Sequence, residues 1–233
     1  MLVETMTAKE MMDELHKDYD FIYDNNIRFI DSGGVRHLKR PYAKFPAYIR
    51  REVKTPRGNR YICNLLFKKR GDVFKLNALE CRTAILQTHE GIATVALVYS
   101  VKYQKEILYV YKPHVYTRYK ERMGIDVDGI ELIKYYEKRN TDTIVHDDYK
   151  HKEGDIEHDI MLTVYDGALF GTSSEVDGCV CYTIKTFIAN DTMQEGYKSK
   201  FNKRHNDVID EIEFFGADKI YASDFKKRDE SIL

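Results

Sequence analysis

Met11, Met12, Leu15, Tyr19 and Ile22 recur at helical spacing, and Thr7 followed three residues later by Glu10 forms a capping box. The pattern predicts an amphipathic helix near the start of the chain. Asp31, Ser32, Gly33 and Gly34 break it, and the stretch to Asn59 holds three of the four prolines, so residues 31–59 read as a loop-rich connector or short arm. Residues 60–68 read as a strand, with a turn at Arg70, Gly71 and Asp72 and a partner strand over 73–76, together a hairpin. Residues 78–88 read as helical. The runs 92–103 and 106–111 are rich in Val, Ala, Ile and Tyr and predict a central hairpin.

Pro113 sets the start of a helix over 114–123, where its missing donor costs nothing, and Gly124 stops it. Asp126 or Asp128 caps a second helix through Arg139. A short strand at 143–145 and a polar loop over 146–159 follow. Residues 160–165, 168–172 and 179–188, separated by turns at Asp166-Gly167 and Asp177-Gly178, predict a three-strand meander. Beyond it lie a basic tail segment at 196–206 and a last helix at 207–215. The expected class is α+β, with helices packed on a curved antiparallel sheet and an N-terminal helical and basic extension. Three regions are expected: 1–90 (helix, basic connector and hairpin), 91–190 (α+β core) and 191–233 (tail).

Composition narrows the class further. The chain has 233 residues, 43% hydrophobic and 32% charged, enough for a buried core. No run reaches the roughly 18 apolar residues of a membrane span, and the start has neither a basic region nor an apolar one. Four cysteines at no framework spacing point to a reducing cytoplasm, and 18 Tyr, 11 Phe, no Trp and 4 Pro resemble AT-rich bacterial or phage coding, so the expected place is the cytoplasm of a bacterium or a phage-infected host.

The net charge of −1 conceals an asymmetry. Between Arg36 and Arg70 twelve Lys and Arg face one acid, Glu52, whereas Glu121 to Asp177 carries fifteen acids and six Lys and Arg. The basic stretch includes Arg50, Arg51, Lys54, Arg57, Arg60, Lys68 and Lys69, interleaved with Tyr42, Phe45, Tyr48 and Tyr61. That mixture suits RNA, because cations neutralise phosphates and aromatic faces stack on unpaired bases. A solvated face paired with the acidic half is the competing reading.

On the helix after Pro113, His114, Arg118, Glu121 and Arg122 share one polar face, and Val115, Tyr116, Tyr119 and Met123 the other. Imidazole can move a proton near neutral pH, and guanidinium forks can hold a developing phosphorane. On spacing alone, a solvated face with an Arg118–Glu121 pair explains the same residues.

The stretch His114 to Ile125, with His, three residues, Arg, two residues, Glu-Arg and then Gly-Ile, resembles a group of bacterial and phage domains related to the RelE and BrnT toxins. The resemblance covers about residues 90–190. It implies a small α+β fold and a metal-independent, cofactor-free endoribonuclease. Cleavage would proceed by attack of the ribose 2′-hydroxyl, with His114 as general acid or base, Arg118 and Arg122 on the phosphorane and Glu121 orienting Arg118 or serving as a second base. Thr186, in Lys185-Thr186-Phe187-Ile188, resembles the Thr of the family's last core strand. The partners implied are RNA and a protein antitoxin. Two other readings stay open: a non-catalytic member that binds nucleic acid or protein, and a mobile-element accessory protein that docks on a host protein.

His146, Asp147, Asp148, His151, His158 and Asp159 include metal-ligand types, but their spacing matches no metal site, so a solvated loop is expected. Cys179 and Cys181 lie two apart on one predicted strand and read as buried structural thiols. Gly33-Gly34 lacks the setting of a phosphate loop and reads as a turn.

Overall fold

In a computed structural model the chain forms an α+β fold around one nine-stranded sheet. The structure describes residues 1–76, 78–100, 104–140, 144–146 and 157–193. The predicted tail segment at 196–206 and helix at 207–215 lie outside them.

Helix α1 (Ala8–Phe29) begins as the capping box requires: Thr7 N donates to Glu10 Oε2 at 2.8 Å, and Glu10 N donates to Thr7 Oγ1 at 3.3 Å. Its inner face is Met11, Met12, Leu15 and Ile22, but Tyr19 is 54% exposed. Glu14 and Asp18 turn inward instead. The helix closes through a wider turn at Ile30–Gly34, where Gly33 takes φ 98°, a region open to glycine.

The connector expected at 31–59 contains a strand, β1 (Ala47–Lys54), paired antiparallel with β2 (Arg60–Phe67). No partner strand follows β2 at 73–76. That segment enters the short helix α2 (Arg70–Phe74), whose Val73 is buried beside Phe67 and Leu65. Residues 78–88 are not helical but form β3 (Leu79–Thr88), paired with β2 and with β4 (Gly91–Ser100). Burial on both faces explains the misreading. Ile85 packs on one side of the sheet and Ala84 and Leu86 on the other, so the polar alternation that marks a half-buried strand is missing.

The predicted central hairpin is β4 with β5 (Lys105–Tyr111). Helices α3 (Pro113–Met123) and α4 (Gly129–Arg139) follow, then β6 (Ile144–His146) and the meander β7 (Glu157–Val164), β8 (Gly167–Val176) and β9 (Cys179–Ala189). The strand order is β1-β2-β3-β4-β5-β9-β8-β7-β6. Every pairing is antiparallel except β5 with β9, where Ile107 faces Val180 and Tyr111 faces Ile184 in parallel register. That single parallel seam joins the first five strands to the meander, so residues on both sides of position 90 share one sheet.

The sheet is covered on both faces. Helices α3 and α4 bury Val115, Tyr116, Tyr119, Leu132, Ile133 and Tyr136 against Ile107, Tyr182, Ile184 and Phe187. On the opposite face α1 packs on Val53, Ala84, Val95, Leu108 and Val110. Cys179 and Cys181 are buried in this second cluster, and no disulfide is formed by any of the four cysteines. Among the described residues no helix is long and apolar enough to cross a membrane.

Candidate functional site

Helix α3 is held in place by its apolar face. Tyr119 meets Phe187 of β9 and Tyr136 of α4 edge to face, with centroids 5.0 Å apart in both cases. Gly124 ends the helix in the left-handed conformation at φ 60°. Rotation about the helix axis is thereby fixed, and His114, Arg118 and Glu121 are presented outward.

These three form a chain. Arg118 Nε donates to His114 Nε2 at 3.1 Å, and Arg118 Nη1 donates to Glu121 Oε2 at 2.8 Å. In the first bond Nε2 of His114 is the acceptor. Glu121 thus holds Arg118 in the contact that their three-residue spacing gives. Arg118 and Glu121 side chains are 43% and 52% exposed.

The other predicted members are placed differently. Arg122 donates through Nη1 to the Phe187 carbonyl, anchoring α3 to β9. Thr186 pairs across the sheet with Phe170, which packs with Ala168 and Ile188, whereas its neighbour Phe187 packs under α3. Strand alternation therefore puts Thr186 on the sheet face away from α3, and the structure does not bring it to His114.

Arg50, Arg51, Arg57 and Arg60 of the basic stretch have partners in the fold, although Arg57 and Arg60 stay exposed. Arg57 donates Nε and Nη2 to the two oxygens of Glu14, at 3.0 and 2.6 Å. Arg51 donates to Asn25 and Asn26 and lies over the Phe29 ring at 4.0 Å. Arg50 donates to Asn64 Oδ1 and to the Tyr48 hydroxyl, and Arg60 pairs with Glu52 at 3.2 Å. Lys54, Lys68 and Lys69 are exposed. The charge that answers Arg57 comes from α1, and Arg50 reaches the acidic half through Asn64, whose amide donates to Glu137.

Of the predicted polar loop, residues 147–156 lie outside the described ones. His158 is buried on β7 and Asp159 is exposed. Among the described residues no three His, Cys, Asp or Glu side chains converge to hold a metal.

Three buried polar groups escaped the sequence reading. Glu14 and Asp18 sit under the β1–β2 turn: Asn59 donates to both, and Tyr61 and Thr55 donate to Asp18 at 3.1 and 3.2 Å. The Arg57 guanidinium holds the Glu14 carboxyl down at about 2. Asp166, in the β7–β8 turn, receives Arg139, Asn140 and Tyr119. Glu137 of α4 is buried, and that burial pushes its carboxyl up to about 7. A signal existed for two of them. Glu14 and Asp18 fall on the stripe of Met11, Leu15 and Ile22, and Glu137 falls four residues after Ile133, so each is a carboxylate at an apolar helix position.

No protein-family model matches the chain, and no curated protein or solved structure matches it either.

Proposed function

We propose that the protein binds RNA phosphate on the exposed face of α3 and cleaves the chain there, with His114 moving the proton. The direct contact between Arg118 Nε and His114 Nε2 on an outward-facing helix carries this reading. A phosphate that recruits the Arg118 guanidinium draws it away from the ring and frees the Nε2 lone pair. Nε2 then takes the proton of the ribose 2′-hydroxyl. The 2′-oxygen bonds to phosphorus, the bond from phosphorus to the 5′-oxygen breaks, and the leaving oxygen takes a proton from water or from the imidazolium. Arg118 stabilises the extra charge on the phosphorane.

A second reading is binding of nucleic acid, or of a protein partner, without cleavage. It is favoured by Thr186 lying on the far face and by the anchoring of Arg122 to Phe187. Incubating the protein with mixed RNA in the presence of a chelator separates the two. Products ending in 2′,3′-cyclic phosphate, reduced about 10²- to 10⁴-fold in His114→Ala and lost in Arg118→Ala at matched folding, support cleavage. Binding without cleavage leaves the second reading. Neither binding nor cleavage overturns RNA as the partner.

A further inference from the structure

Between strands β2 to β5 and helix α4 lies a half-open cavity of about 150 Å³. Asn64, Thr83 and Tyr111 form its sheet side, and Tyr116, Tyr136 and Glu137 close it from the helices. Glu137 and Tyr136 are 8% and 3% exposed, yet Glu137 Oε1 and the Tyr136 hydroxyl have no hydrogen-bond partner among the described residues. The companion oxygen, Glu137 Oε2, accepts from Asn64 Nδ2 at 3.0 Å, and the Thr83 hydroxyl stands beside the same carboxyl, while Oε1 accepts no bond from the described residues. An orphaned buried acceptor and hydroxyl on one wall of a cavity call for a group that hydrogen-bonds them.

We propose that this cavity is a binding site for a single-ring aminated nitrogen heterocycle that donates N–H to Glu137 Oε1 and lays its ring among Tyr111, Tyr116 and Tyr136. Size sets one limit, since a space of this volume takes one benzene-sized ring. Charge sets another: an acidic wall rejects anions, and Arg50, hydrogen-bonded to Asn64, already supplies a cation beside Glu137. A neutral or weakly basic donor therefore fits better than an aliphatic ammonium. The tyrosines meet edge to face, Tyr116 with Tyr136 at 5.5 Å and 86° and Tyr111 with Tyr136 at 6.2 Å and 61°, the walls that suit a flat guest.

The probes are 2-aminopyridine and cytosine, titrated into the full chain at pH 8, where the Glu137 carboxylate is ionised, by calorimetry and ligand-observed NMR, with toluene as the apolar control. Saturable one-to-one binding of at least one aminated probe is expected, with toluene binding weaker. Glu137→Gln should weaken that probe about tenfold or more, as losing a charge-assisted hydrogen bond does. Ala96→Leu fills the cavity from β4 without touching Glu137 and should abolish binding, which keeps the test valid if Glu137→Gln does not fold. Absence of binding by both aminated probes, toluene binding equally well, or undiminished affinity in folded Glu137→Gln or Ala96→Leu would each overturn the assignment.

Discussion

Arg139, in the last turn of α4, grips Asp166 in the β7–β8 turn through two parallel bonds, Nε to Oδ2 at 2.8 Å and Nη2 to Oδ1 at 2.5 Å, with both side chains nearly sealed from solvent. Asn140 and Tyr119 complete the shell, so one carboxylate ties α3, α4 and the meander together. Removing either member strands a buried charge. Asp166→Asn or Arg139→Met should each cost about 3–5 kcal/mol in urea unfolding, and the double replacement less than the two single losses combined. Additive losses would mean the pair is not coupled.

Two buried carboxyls give opposite pH responses. Glu14, held at about 2 in the fold against an ordinary 4.5, adds stability that is present above about pH 4.5 and is lost as pH falls toward 2. Glu14→Gln should remove that acid-side loss in unfolding curves recorded between those values.

Glu137 works the other way, because burial raises its carboxyl from 4.5 to about 7. Its contribution is intact below about pH 4.5 and is lost as pH rises through 7. The stability of Glu137→Gln relative to the parent should therefore improve by about 3 kcal/mol between pH 4 and pH 8. A difference independent of pH would show that Glu137 ionises freely in the fold.

Gly171 lies at the register shift between β8 and β9, and a Cβ there would drive into the Thr183 carbonyl oxygen. Alanine must separate the strands, at roughly 2 kcal/mol or more. Gly124 has open space around it and only its positive φ of 60° to lose, so Gly124→Ala should cost about 1 kcal/mol. Thermal unfolding of the two variants should rank them in that order, and the reverse ranking would contradict the strand packing.

If RNA lies along α3, the dependence of affinity on salt reports which cations touch phosphate. Arg118→Ala should reduce the slope of log affinity against log salt by about one. Thr186→Ala, on the other face of the sheet, should leave it unchanged. A loss in Thr186→Ala equal to that in Arg118→Ala would move the contact surface to the meander.

The motif helix was legible because its signals are local. Pro113, the 3.6-residue spacing of Val115, Tyr116 and Tyr119, and Gly124 define α3 without reference to anything distant. The Arg118–Glu121 contact follows from three-residue spacing for the same reason. Residues 78–88 were misread because a strand buried on both faces carries no polar alternation, and β1 was hidden because its partner, β2, rather than its own sequence, makes it a strand. The partners of the basic stretch were hidden for a third reason. A charge count says nothing of partners, and Arg57 finds Glu14 forty-three residues away.

The sequence by itself determined the α+β class, the capping box of α1, the closing meander and the polar face that runs from His114 to Glu121, all of which depend on spacings within a few residues; Asp128 stands at the N-cap of α4 but turns its side chain to Lys120 instead of capping the helix. Tertiary structure alone decided the rest. The register shift between β8 and β9 placed Thr186 on the sheet face away from His114, and the packing of α4 set Glu137 over β2 to β5. Packing α1 on the β1–β2 hairpin gave Arg51 and Arg57 their partners on that helix. These outcomes depend on which faces meet across long separations, and a residue's neighbours in the chain do not specify them.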